Sequence, residues 1–155
     1  MADGQTIRVS VQREAIDLTA EIARMEGEGA GGIATFCGHV RADADATGGG
    51  VTSLELEHYP GATEAALLRL ATTAAARWSL TAASVIHRVG PMAPGTRIVL
   101  VATAAAHRAA ALEACAYLID RLKTDAPFWK REVRGGDARW VEARGGDEAA
   151  AARWE

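Results

Sequence analysis

The chain has 155 residues, 49% hydrophobic and 24% charged, with a formal net charge of -3 and a pI of about 5.8. That size and composition suit one globular domain, residues 1–155, with a substantial core, and exclude a disordered chain. The slight acidity excludes a global basic field for nucleic acid or an anionic membrane, so any anion site is local. No apolar run reaches the ~20 residues of a membrane span, and the amino terminus lacks a signal-like core, so a cytoplasmic protein is expected.

In chain order, "TIRVSVQ" alternates apolar and polar residues as a half-buried strand does. Asp17 is placed to cap a short helix carrying Leu18, Ile22 and Met25 and stopping at Gly27. "GGIATFCGHVR" reads as a second strand, "DADATGGG" as an exposed loop, and "VTSLELEHY" as a third strand. After "YPG", Thr63 is expected to cap a long helix through Trp78, with Leu67, Leu70, Ala71 and Ala74 at helical spacing. "AASVIHRVG" and "TRIVLVATAAA" read as strands joined by the turn "GPMAPG". A second long helix runs from Ala106 to Lys123, and Pro127 ends it because proline cannot continue the hydrogen-bond ladder. The tail predicts two short strands across "RGGD" and a frayed end. The whole is an α+β fold with a mainly antiparallel sheet, two long helices and one shorter helix.

Of the 17 basic residues, 15 are arginine; the two lysines, Lys123 and Lys130, lie seven positions apart. Arg108, Leu112, Ala116, Ile119 and Lys123 fall on one helical stripe, so Lys123 continues what reads as an apolar face. Desolvation or a neighbouring cation there would lower an amine's pKa, which arginine cannot offer because its guanidinium stays protonated. The alternative is a solvated lysine favoured by the helix dipole. Lys130, two residues after Phe128 on one strand face, is either a partner for Lys123 or an edge-strand lysine that deters aggregation.

His107 and Arg108 stand where a buried strand turns into a helix, a place for a phosphate or carboxylate, although a strand-end histidine also serves structure. Arg41, before the glycine-rich loop, is a second anion candidate or a plain surface arginine. His87 and Arg88 point to opposite sides of a strand and cannot clasp one ligand together. The histidines are too scattered for zinc, no nucleotide or nucleophile motif is present, and Cys37 and Cys115 read as free packing thiols.

Taken in order, "FCGHVR", "LELEHYPGATEAAL", "VIHRVGPMAPG", "AAAHRAAALEA" and "LIDRLKTDAPFWKRE...RWVEAR" closely resemble the catalytic large subunit of molybdopterin synthase, from about residue 31 to residue 144. The resemblance implies an α/β hammerhead fold and a sulfurtransferase of molybdenum cofactor biosynthesis. Such an enzyme converts cyclic pyranopterin monophosphate (precursor Z) to molybdopterin without a cofactor. Its sulfur arrives as a thiocarboxylate on the Gly-Gly carboxyl terminus of a small ubiquitin-like subunit, and its assembly is a heterotetramer built on a homodimer of large subunits. It further implies that Lys123 and Lys130 are catalytic and substrate-binding. His39, Val40, Arg41, His107, Arg108, Arg131, Glu132 and Arg144 would contact substrate. A different class, a non-catalytic module that binds a ubiquitin-like Gly-Gly tail, accounts for the same basic residues.

Overall fold

Two four-stranded sheets carry the chain in the computed structural model, which describes residues 4–42, 50–134, 137–141 and 145–155. The elements run β1 (Thr6–Gln12), α1 (Leu18–Met25), β2 (Gly32–His39), β3 (Ser53–His58), α2 (Ala62–Arg77), β4 (Ala82–Arg88) and β5 (Gly90–Met92). They continue as β6 (Arg97–Ala105), α3 (Arg108–Asp125), β7 (Phe128–Arg134), β8 (Asp137–Val141) and α4 (Gly145–Ala152). One sheet has the order β1-β4-β6-β2 and the other β5-β3-β7-β8; among the described residues only β1 and β4 pair in parallel. This is the expected α+β fold with mainly antiparallel pairing, divided between two sheets.

The long helices α2 and α3 cover one face of the first sheet through Leu67, Ala71, Ala74, Leu118 and Leu122, packed against Val85, Val99 and Val101. Many contacts are alanines, whose short side chains let helix and sheet approach closely without voids. On the opposite face Met25 of α1 packs against Ala82, Ala102 and Ala104. The second sheet contributes its own cluster of Leu54, Leu56, Val89 and Met92, joined by Val40. Phe128 touches both clusters and so stands at the seam between the sheets.

Local chemistry explains most boundaries. Asp17 accepts from the Ala20 N–H at 3.1 Å and caps α1 as expected. Thr63, by contrast, does not cap α2. Gly61, with φ of 87°, is the N-cap, and the Glu64 carboxylate accepts from its N–H. The "GPMAPG" segment is more than a turn, because Gly90–Met92 forms β5 and pairs with β3. Nor is the tail frayed: α4 packs against α3, and the Trp154 indole N–H donates to Asp120 at 2.7 Å.

The stripe through Arg108, Leu112 and Lys123 is a second departure. Leu112 is 61% exposed and both ends of the stripe face solvent, while Ala111, Ala114, Cys115, Leu118 and Leu122 are the buried positions. The buried face is displaced by about one residue from the one the spacing predicts, with alanines and Cys115 against the sheet because close packing there requires small volumes.

Candidate active site

The bend between α3 and β7 brings both lysines to one place. Lys123 lies in the last turn of α3, exposed; Ala126 caps the helix, and Pro127 leads into β7, where Lys130 is half-buried. In the β3–β7 register Lys130 stands opposite the buried Leu56, Phe128 opposite His58 and Glu132 opposite Leu54. Side chains of cross-strand partners share a face, so Lys130 points with Leu56 to the inner side of the second sheet. Trp129 and Arg131 alternate to the outer side, where Trp129 packs edge-on against Tyr59 at 4.2 Å and Arg131 is ion-paired with Glu55. Glu132 accepts from the Arg134 guanidinium at 3.2 Å.

Under the two amines lies His87, which sequence reasoning set aside. It is 6% exposed and stacks on Phe128 with ring centroids 3.9 Å apart. Burial pushes its pKa down from 6.5 to about 4; the hydrogen bond with the Arg88 carbonyl works the other way, and the charges of Lys123, Lys130 and His58 push it down further. The signal was available in the sequence: Ala83, Val85 and His87 form the inward face of β4, so a histidine occupies a core position at the strand's end. His58 completes the cluster and meets Glu64 of α2 at 3.0 Å. Lys123 itself is exposed, so the desolvation expected of it is absent; its charge, like that of Lys130, acts on the buried His87.

The other candidate residues divide between the two ends of α3. Thr103 donates to the Ala111 carbonyl at 2.7 Å and Cys115 contacts the Val101 carbonyl at 3.8 Å, so the helix runs back along β6. Lys123, eight residues beyond Cys115, is then about 12 Å further on, level with the start of β6. There Arg97 pairs with His39. His39 and Arg41, both exposed, therefore lie toward the lysine end. Val40 between them is 4% exposed and belongs to the core, and its backbone bonds to Thr96 and Gly95, so it positions its neighbours.

His107 and Arg108 lie at the opposite end, beside Gly32 at the start of β2. His107 is the N-cap of α3, its side chain makes no capping bond, and no acidic residue occupies the first turn. The positive end of the helix dipole there has Arg108 beside it and no acidic residue in the first turn. Arg144 falls outside the described residues.

Both thiols are shifted away from the thiolate form. Burial pushes Cys115 up to about 11, with its contact to Thr103 opposing, and burial also raises Cys37 despite the Arg97 charge. Among the described residues no three His, Cys, Asp or Glu side chains gather as a metal site, and no helix is long and apolar enough to cross a membrane. The chemistry on offer is amine and guanidinium chemistry on a rigid bend.

The MoaE protein family model matches residues 11–125. The molybdopterin synthase catalytic subunit of Ralstonia nicotianae is 49% identical over 94% of this chain and 83% of that protein. The same subunit of Vibrio cholerae is 48% identical over 96% of this chain and 98% of its own length. Among solved structures, the molybdopterin biosynthesis MoaE protein of Burkholderia ambifaria superposes with a TM-score of 0.81 at 42% identity, covering 96% of this chain and 98% of that one. Molybdopterin synthase of Staphylococcus aureus superposes at 0.80 with 28% identity, covering 85% and 95%. A matching family model over most of the chain, close relatives spanning nearly its full length, and the same fold place this chain in the MoaE family.

Proposed function

We propose that the chain is the catalytic subunit of a molybdopterin synthase, a sulfurtransferase that converts precursor Z to molybdopterin. The reading rests on family membership; the observation that carries it to particular residues is that the only two lysines flank the α3–β7 bend and the charges of both act on the buried His87. Sulfur is supplied as the carboxyl-terminal Gly-Gly thiocarboxylate of a small ubiquitin-like partner. That source fits a chain in which burial raises the pKa of both thiols. The relatives' designation as a catalytic subunit likewise implies a partner chain.

Lys123 and Lys130 act as acid and base and hold the incoming thiocarboxylate, their positive charge opposite to its negative one. Arg41, His107, Arg108 and Arg144 bind the cyclic phosphate and stabilise charge as its ring opens. His39 and Glu132 line the approach, while Arg131, ion-paired with Glu55 on the outer side of the second sheet, would meet substrate only from that side. Arg108 and Lys123 are 15 residues apart on one continuous helix, about 22 Å along its axis. One small pterin cannot bridge that distance within a chain, so a second copy supplies one of the two, and the working unit is a homodimer within a heterotetramer. The chain works as one domain in the cytoplasm.

The test is reconstitution: purified chain, thiocarboxylated small subunit and precursor Z, with molybdopterin measured. Product formation supports the synthase; tight binding of the small subunit with no product would establish instead the module that binds a Gly-Gly tail.

A further inference from the structure

Gly31 and Gly32 approach the entry to α3 more closely than residues with side chains could. The Gly31 N–H donates to the Ala105 carbonyl at 2.9 Å, and Gly32 pairs with Ala105 across the β2–β6 ladder. A Cβ on residue 31 would stand 1.9 Å from the Ala106 carbonyl oxygen and 2.9 Å from its carbon, so that carbonyl is aimed at Gly31. A Cβ on residue 32 would lie 3.4 Å from Arg108 Cα and 3.6 Å from its nitrogen. Neither glycine has a positive φ, so the demand is for space and not for an unusual backbone conformation. Across the planar trans peptide that follows, the His107 N–H points opposite to the Ala106 carbonyl, away from Gly31. The first N–H groups of a helix have no intrahelical acceptor, and the His107 side chain caps none of those of α3. Thr103, donating to the Ala111 carbonyl, holds the same first turn to β6.

We propose that Gly31 and Gly32 are positioning residues for His107 and Arg108: their missing side chains let the Ala106 carbonyl lie against β2, which sets the direction of the His107 N–H and the place from which both side chains reach the cyclic phosphate. An alanine at position 31 must drive the carbonyl back from 1.9 Å to 3.0 Å or more, a displacement of about 1 Å. Ala106, His107 and Arg108 are exposed, so this segment has room to yield while the core under it stays packed. A misplacement of about 1 Å in groups that orient a substrate costs up to about 100-fold in rate. The consequence for turnover rests on the synthase reading of His107 and Arg108; the peptide orientation does not.

The test compares Gly31→Ala with Gly27→Ala, whose added Cβ meets nothing within 4 Å. In the full-length chain without substrate, the 15N–1H residual dipolar coupling of the His107 amide reports the direction of that bond. It is expected to change in Gly31→Ala beyond the scatter of the β6 amides and to hold in Gly27→Ala. In reconstituted synthase Gly31→Ala is expected to raise KM for precursor Z by about 10-fold or more and to leave KM for the small subunit within about twofold. A merely structural loss of folded protein would lower apparent kcat and move neither KM. An unmoved coupling, or an unchanged KM for precursor Z, in folded Gly31→Ala overturns the proposal. Should that variant not fold, Gly32→Val decides by the same two measurements, because it adds two carbons to a Cβ already touching Arg108. If the unaltered chain makes no molybdopterin, the synthase reading fails and the coupling alone decides the positioning role.

Discussion

The hydroxyl of Thr63 donates to the carbonyl of Pro127 at 2.9 Å, tying the first turn of α2 to the bend that separates the two lysines. The same oxygen accepts from the Tyr59 N–H at 3.0 Å, and the residue is fully buried at 0% exposure. Thr63→Val preserves the shape and leaves that N–H and the Pro127 carbonyl without their partner. A loss of about 1–3 kcal/mol in unfolding free energy is expected, read as a lower urea midpoint at unchanged slope. A midpoint equal to that of the unaltered chain would mean that water replaces the hydroxyl at no cost.

His87 makes stability depend on pH in a defined window. Its folded pKa of about 4 lies below the ordinary value of 6.5, so between these values the unfolded chain binds more protons than the native one. Stability from this group is therefore fully present above pH 6.5 and is lost as pH falls through about 4. The full shift corresponds to about 3 kcal/mol. Carboxylates also titrate toward the acid end, so the difference between the unaltered chain and His87→Phe isolates the histidine. The stability of the unaltered chain relative to His87→Phe should fall as pH drops from 6.5 to 4, and a flat difference would show that the ring is not held neutral.

Much of the fold was legible because its signals are local: alternation in "TIRVSVQ", the Asp17 cap, and Pro127 as a helix stop each act over a few residues. What stayed hidden depends on distant partners. Thr63 looked like a cap because it precedes a helical pattern, yet its hydroxyl is directed 64 residues along the chain to Pro127. The short β5 could not be read because its evidence is pairing with β3, and α4 because it is held by Trp154 bonding Asp120. At the candidate site the lysine pair is visible as composition, whereas His87 is hidden beside Arg88 because its informative neighbours are Val85 and Ala83, two and four residues back.

Lys123→Arg separates charge from proton exchange. Lys123 is exposed at the helix end, so the substitution is expected to change stability by no more than about 0.5 kcal/mol. Arginine keeps the positive charge but cannot release its proton at neutral pH. If the amine serves as acid or base, molybdopterin formation from loaded small subunit falls by about 100-fold or more, with binding of the small subunit nearly unchanged. A normal rate in this variant would reduce Lys123 to a charge.

Arg108 and Lys123 occupy opposite ends of α3, and this separation predicts complementation between two inactive chains. Arg108→Ala and Lys123→Ala each remove one group from every site of their own homodimer. When the two variants are mixed and allowed to exchange subunits, half of the dimers contain one chain of each kind. If each site takes Arg108 from one copy and Lys123 from the other, every mixed dimer has one intact site and one doubly defective site. Activity should then recover to about a quarter of that of the unaltered chain. Were both residues drawn from the same copy, mixed dimers would have two sites each lacking one group, and mixing would restore nothing.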